Sequence, residues 1–309
     1  MIEFRAPQKS DKSWVDALLI HGSERGCEYN FANLYAWSGP YDQELARLDD
    51  FLLVRLCGSL GCSYLYPMGK GDVRPVIDAL AADFRPCGKP LQLVCLSPER
   101  RAELEGLYPG KFRYEADRDG FDYLYEISRL ADLTGKKLHN KRTQINRFLE
   151  EHSDWTFEEI TPENLPECRK MDEEWYGENR GYQGDDTLVD EGAALKLAFD
   201  AYEELGLDGG LLRSGGKVIA FSMGDHLTAD TYDVHFEKAF SAITGAYTMM
   251  NREFARFIRE KYPLVQYLNR EDDMGVAGLR QAKESYYPDL MAEKYSATLI
   301  IDIELKPKK

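Results

Sequence analysis

The segment Thr231 to Ala239 reads TYDVHFEKA, in which His235 and Glu237 alternate with Val234 and Phe236. Successive side chains of a strand point to opposite faces, so His235 and Glu237 are expected to share one face and leave the apolar pair on the other. A carboxylate or imidazole lining a cleft can take the proton of an attacking amine or hydroxyl, provided burial raises the carboxylate pKa or keeps the imidazole neutral. The plainer reading is that the two pair with Lys238 or with a basic helix. A denser polar cluster, Asn269-Arg270-Glu271-Asp272-Asp273, stands where a short strand gives way to a helix, and open α/β sheets commonly bind ligands beyond such strand ends. Its acids suit an α-ammonium or an acceptor amine, and Arg270, Arg280 and Lys283 suit a phosphate or a terminal carboxylate. Alternatively, Asp272 and Asp273 simply begin the next helix in favour with its dipole.

Tyr247, Asn251, Tyr286 and Tyr287 can orient an ester carbonyl or stack on a base, although in a chain with 19 tyrosines core packing accounts equally well for any one of them. Trp175-Tyr176 either caps a pocket or belongs to a buried helix. One basic stretch interrupts an acidic chain of net charge −15: residues 135 to 147, GKKLHNKRTQINR, hold five cations and no acid. Lys136, Lys137, His139, Lys141 and Arg142 can meet phosphates such as those of a tRNA acceptor stem, or they form a solvated helix face. Elsewhere the net charge opposes nonspecific attraction to polyanions or anionic lipid.

Several chemistries find no support. There is no H-E-x-x-H, no Cys/His zinc spacing, no P-loop and no G-x-S-x-G, so no metal is expected. The six cysteines, Cys27, Cys57, Cys62, Cys87, Cys95 and Cys168, include no C-x-x-C pair and read as buried, reduced thiols. No run approaches the roughly 18 apolar residues of a membrane span, and the first residues lack a signal-peptide layout, so a cytoplasmic protein without integral membrane contact is expected.

These residues need a scaffold, and the chain supplies alternating signals for one. EYNFANLYAW is helical in spacing; DDFLLVRL and CSYLYPMG read as strands. Asp72 caps the helix VRPVIDALAADF, PLQLVCLS is a buried strand, and Ser97-Pro98 opens another helix. FRYEADRDGFDYLYEI reads as a strand pair about Asp119-Gly120. The basic helix, a strand WTFEEI, a helix opened by Thr161-Pro162 and a helix through ALKLAFDAYEEL follow. Ser214-Gly215-Gly216 turns a hairpin into the TYDVHFEKA strand; then come a long amphipathic helix, the strand LVQYLNRE, a short helix ended by Pro288 and a closing strand region, MAEKYSATLIIDIEL. Each half runs helix, meander, helix, strand, helix, strand. The expected fold is α/β (α+β), with two fused domains, 1–132 and 133–309, each a mixed, mostly antiparallel sheet flanked by helices.

In the second half the order hairpin, strand, long helix, strand, short helix, strand resembles the core order of the acyl-CoA N-acyltransferase (GNAT) fold. LTGKKLHNKRTQINRF (133–148), VHFEKAFSAITGAYTMMNREFA (234–255) and YLNREDDMGVAGLRQAKESYYP (267–288) resemble the family named for the phosphatidylglycerol lysyltransferase C-terminal domain. The resemblance implies a tandem GNAT-like fold related to Fem-type peptidyltransferases and leucyl/phenylalanyl-tRNA transferases, which move an aminoacyl group from tRNA to an acceptor. The usual coenzyme A loop, Q/R-x-x-G-x-G/A, is replaced by FSAITGAYTMMN, where only Gly245 remains; no cofactor is expected, with coenzyme A left open. Aminoacyl transfer from charged tRNA to a small-molecule or peptide amine or hydroxyl leads. An acyl-CoA-dependent N-acyltransferase and a non-catalytic GNAT-like binding module are the alternatives.

Overall fold

A computed structural model describes residues 2–58, 61–84, 90–178 and 186–300. The first half contains α1 (Lys12–Leu19), α2 (Phe31–Ala36), β1 (Gln43–Leu48), β2 (Phe51–Gly58), β3 (Gly61–Leu65), β4 (Met68–Gly69), α3 (Arg74–Phe84), β5 (Gln92–Leu96), α4 (Pro98–Leu107), β6 (Phe112–Ala116), β7 (Asp122–Glu126) and α5 (Ile127–Asp132). The second contains α6 (His139–Glu151), β8 (Thr156–Glu159), α7 (Leu165–Glu178), α8 (Asp186–Asp200), α9 (Tyr202–Leu205), β9 (Asp208–Ser214), β10 (Lys217–His226), β11 (Thr231–Ala239), α10 (Ala246–Lys261), β12 (Tyr267–Asn269), α11 (Ala277–Glu284), β13 (Leu290–Ala292) and β14 (Tyr295–Leu299). Local chemistry accounts for many of the boundaries. Asn30 accepts from Ala32 N and Asn33 N to open α2, Asp72 accepts from Arg74 N ahead of α3, and Ser97 accepts from Arg100 N above Pro98 to open α4. Gly215 and Gly216 both take positive φ in the β9–β10 turn, as a tight hairpin requires.

The strands form two seven-stranded mixed sheets, β1-β2-β3-β5-β14-β6 with β4 on β2, and β13-β7-β12-β11-β10-β9-β8. All pairs are antiparallel except β3 with β5 and β11 with β12. Corresponding strands occupy corresponding places, so the domain-scale duplication expected from the pattern is a structural one. One feature breaks the simple division at residue 132: β7 pairs with β12 and β13 of the second sheet, and β14 pairs with β5 and β6 of the first. The halves exchange a strand. The strand pair expected about Asp119-Gly120 is therefore not a hairpin, because β6 and β7 belong to different sheets.

Three apolar clusters fill the spaces between layers. One packs α3 and α4 on the first sheet, one packs α5, α6 and α10 on the second, and a central one contains residues of both sheets with α1, α2, α7 and α8. β1 and α1 were not anticipated; β1 alternates too weakly in hydropathy to announce itself. The thiol expectation also changes: Cys57 and Cys62 face each other in the β2–β3 register with Cα atoms 4.1 Å apart and are joined in a disulfide. Cys27 and Cys168 are buried free thiols, Cys95 is a partly buried one, and Cys87 lies outside the described residues. Among the described residues no helix is long and apolar enough to cross a membrane.

A buried polar junction marks the exchange. Lys294, just before β14, donates to Asp122 Oδ1 at 2.7 Å and Glu28 Oε1 at 2.6 Å, while Asp122 Oδ2 accepts from Cys27 N and Asn269 Nδ2. Lys294 and Asp122 are 3% and 0% exposed, so removing Lys294 strands two carboxylates in the interior and neutralising Asp122 leaves the ammonium with Glu28 alone. Asp122→Asn and Lys294→Met are each expected to lower the unfolding free energy by about 3–5 kcal/mol. In urea titrations the double replacement is expected to cost less than the sum; strictly additive losses would mean the pair is not coupled.

Candidate active site

β11 and β12 run parallel for only three paired positions, Thr231 with Tyr267, Tyr232 with Leu268 and Asp233 with Asn269. Beyond Asp233 and Asn269 the strands part, and His235, Glu237, Lys141, Asn251, Arg270, Glu271 and Tyr286, among the residues singled out in the sequence, collect around that opening. A β-bulge shapes it. In the β10–β11 register Met223 faces Phe236 and Gly224 faces Val234, leaving His235 as the extra residue. The bulge resets the alternation, so His235 and Glu237 lie on opposite faces of the sheet, contrary to the alternation argument. His235 faces α2, and Glu237 faces α10.

On the α10 face, Arg270 Nη2 donates to Glu237 Oε1 at 2.8 Å and Asn251 Nδ2 to Glu237 Oε2 at 3.3 Å. The Arg270 guanidinium stands 5.0 Å from the centre of the Tyr286 ring, and the Lys141 ammonium 3.7 Å from the same centre. Arg270 Nη1 and Asn251 Oδ1 are buried without a hydrogen-bond partner among the described residues. Nor does Lys141 make an ion pair or hydrogen bond among them. Burial, then the neighbouring Arg270, pulls the Lys141 ammonium down to about 8, with Glu237 acting in the opposite sense. Glu237, Arg270, Asn251, Lys141 and Tyr286 thus form one constellation, with a donor, an acceptor and a partly neutral amine unspent.

On the α2 face, His235 Nε2 lies 2.8 Å from Asp225 Oδ1 and Nδ1 lies 3.2 Å from Glu271 Oε1 and 3.6 Å from Asp233 Oδ2. Burial disfavours a charged ring there, yet Asp233, Asp225 and Glu271 together hold its pKa well above the ordinary imidazole value. With both ring nitrogens engaged, His235 does not have the free lone pair a general base needs. Glu271 takes a left-handed backbone at φ 53°, fixed by Glu271 N on Asn269 Oδ1 and by Asn33 Nδ2 on its carboxylate.

The remaining sequence candidates divide. Asn269 is buried in the exchange junction, donating to Asp122 and to the Arg25 carbonyl. Asp272 is pushed by burial up to about 7, and its carbonyl accepts from the buried Lys283 ammonium. Arg280 is bidentate on Asp273 and also holds Asp119, so it braces the start of α11 instead of facing the opening. The basic stretch divides as well: Lys136, Lys137 and His139 are exposed, whereas Arg142 turns back onto the Leu133 and Gly135 carbonyls. Tyr247 is half exposed at the first turn of α10. Trp175 and Tyr176 close over Lys238, whose ammonium is 3.8 and 4.9 Å from their ring centres and 2.6 Å from Glu191 Oε2. Sequence reasoning passed over Asp225, Asp233, Asn30 and Asn33; acids inside the otherwise apolar strands VIAFSMGDH and TYDVHF were the available signal.

The sign of the Lys141 effect is checkable. Amine-directed labelling of Lys141 is expected to be half-maximal near pH 8. Arg270→Met is expected to move that midpoint up and Glu237→Gln to move it down; a midpoint near the ordinary lysine value would show that the amine is not held in this constellation.

Residues 22–298 match the family model described as phosphatidylglycerol lysyltransferase, C-terminal. A crystal structure of a conserved protein of unknown function from Bacteroides thetaiotaomicron VPI-5482 is 38% identical, covers 97% of this chain and 100% of its own, and superposes with a TM-score of 0.90. The C-terminal domain of a protein described as a lysylphosphatidylglycerol synthetase of Agrobacterium fabrum is 15% identical, with 94% and 92% of the chains covered and a TM-score of 0.65. FemX is 10% identical, with 97% and 98% covered and a TM-score of 0.59; these two likenesses are of fold. An uncharacterized protein of Mycoplasmoides gallisepticum, MYCGA3080, is 24% identical over 218 residues, 68% of this chain and 66% of that protein's length. With the family model matched across nearly the whole described chain, the protein belongs to the phosphatidylglycerol lysyltransferase C-terminal family.

Proposed function

We propose that the chain transfers an activated aminoacyl group, carried as an ester on tRNA, to an amine or hydroxyl acceptor at the parting of β11 and β12. Family membership supports an aminoacyl or acyl transferase in the broad sense. The observation that carries the reading is the constellation of Glu237, Arg270, Asn251 and Lys141, in which Arg270 Nη1 and Asn251 Oδ1 are buried and unsatisfied. A buried polar group without a partner is costly, so such atoms argue for a ligand that completes them.

In this reading the acceptor lone pair forms a bond to the ester carbonyl carbon while Glu237 takes the acceptor's proton. The bond from that carbon to the ribose oxygen then breaks, and the departing oxygen recovers the proton. Arg270 Nη1 faces the charge that develops on the carbonyl oxygen, and Lys141 stands beside it. The exposed Lys136, Lys137 and His139 meet the tRNA backbone without reading sequence. Coenzyme A is the less favoured donor because Gly245, at the start of α10, is packed against the Gln144 backbone of α6. That contact takes up space beside the helix end where a pyrophosphate would approach.

The test supplies bulk tRNA charged with labelled amino acids and hydroxylamine as a surrogate acceptor. Hydroxamate should form above the uncatalysed rate, fall at least about 10²-fold in Glu237→Gln, and show a raised KM with unchanged kcat when Lys136 and Lys137 are both replaced by Gln. No transfer from any charged tRNA would rule out the donor. Transfer from acetyl-CoA instead would make the chain an ordinary N-acyltransferase.

A further inference from the structure

We propose that Asp233, His235 and Glu271 bind one divalent transition-metal ion, of the zinc or manganese kind, with Asp225 fixing the imidazole from behind. The inference is independent of the transfer reading, since it concerns the α2 face of the sheet. One ligand atom from each of the three residues lies within 4.8 Å of the other two. His235 Nδ1 is 3.2 Å from Glu271 Oε1 and 3.6 Å from Asp233 Oδ2. An ion about 2.1 Å from each ligand keeps neighbouring ligand atoms roughly 3.0–3.4 Å apart, so the side chains stand close to coordinating positions already.

Asp233 supplies the second, separate observation. It is 0% exposed, and among the described residues neither carboxylate oxygen has a hydrogen-bond partner. The available donors nearby are spent elsewhere: Asn30 on Asp225, Asn33 on Glu271, and the His235 ring on Asp225 and Glu271. A chemically similar trio, Cys27, Glu28 and Asp122, differs because there Lys294 sits among the ligand atoms, whereas around Asp233 the cation is the His235 ring, whose Nδ1 gives up its proton when it binds an ion. Among the described residues no lysine or arginine forms an ion pair with Asp233.

The outer contacts are those of a metal centre. His235 Nε2 at 2.8 Å from Asp225 Oδ1 fixes the ring and leaves Nδ1 toward the other carboxylates, and Asn30 Nδ2 at 2.6 Å holds Asp225 in turn. One imidazole with two carboxylates suits a borderline ion better than calcium or magnesium, which prefer more oxygen ligands. Asp225 and Asn30, the contacts behind the imidazole, line a groove of about 1050 Å³. Two ligands come from β11 and one from the residue after Arg270, so the ion would clamp the strands at the point where they part.

The full, untagged chain, stripped with EDTA, is titrated with Co²⁺ followed by its visible ligand-field absorption, then with Zn²⁺ in competition. One equivalent is expected to bind, displaced by Zn²⁺, with a rise in melting temperature. Asp233→Asn and His235→Gln should each weaken binding more than 100-fold, and Asp225→Asn by about 10–100-fold, while Cys27→Ser leaves it unchanged. Absence of a stoichiometric Co²⁺ spectrum and of a Zn²⁺-induced thermal shift in the wild-type chain would overturn the proposal whatever the variants do. So would undiminished binding in folded Asp233→Asn, or loss of binding in Cys27→Ser, which would move the ion to the other trio.

Discussion

The Lys294 ammonium, closed in between Asp122 and Glu28, is the interaction on which the rest of the molecule depends. A duplicated sheet unit can bury its faces without help from its twin; here each sheet takes a strand from the other half, so the chain must cross between sheets twice. Those crossings meet at Asp122, the first residue of β7, and at Lys294, immediately before β14, with Asp117 N bonded to the Lys294 carbonyl. A buried ion pair contributes little net stability over an apolar substitute, but an unpaired one is severely penalised, so any arrangement of the crossings that separates Lys294 from Asp122 and Glu28 is disfavoured. The same Asp122 carboxylate holds Asn269, the last residue of β12. Strand exchange and the position of Arg270 are therefore linked through two hydrogen-bonded side chains.

From that anchor the opening follows. β12 ends at Asn269, Glu271 turns left-handed, and Arg270 is carried out of the sheet toward Glu237. On the neighbouring strand the bulge at His235 sends Phe236 into the central core and Glu237 to the α10 side. Without the extra residue Glu237 would point to the α2 face and Arg270 would have no partner. A single inserted register position thus separates two polar sites by the thickness of one sheet.

How much of this could be read from the sequence depends on the range over which each feature is determined. The Ser97-Pro98 opening of α4, the Gly215-Gly216 turn and the helix Ala246–Lys261 are set by neighbours in the chain, and all stand where their residues imply. Glu237, Asn251, Arg270, Lys141 and Tyr286 were each visible as polar or aromatic candidates, and they do converge. What could not be read is non-local. No local signal says that β7 pairs with β12, that Cys57 faces Cys62, or that Arg280 is spent on Asp273. The bulge is subtler: strict alternation in TYDVHFEKA is what an unbulged strand would also show, so pattern alone put His235 and Glu237 on one face.

Electrostatics ties the site to the composition of the chain. A net charge of −15 repels an anionic substrate at long range, and only a local field can reverse that. Arg270 and Lys141 sit over the same Tyr286 ring with one carboxylate, Glu237, near them. Burial, and after it the like charge of Arg270, disfavours the ammonium, and the lysine, which can shed its proton, yields: hence its fall to about 8. In the proposed transfer, an anion entering beside Arg270 Nη1 would offset that like charge and favour the charged form of Lys141. The buried guanidinium cannot adjust in this way, so in the proposed transfer Arg270 would be the fixed charge and Lys141 the adjustable one, and their proximity would favour negative charge in the opening.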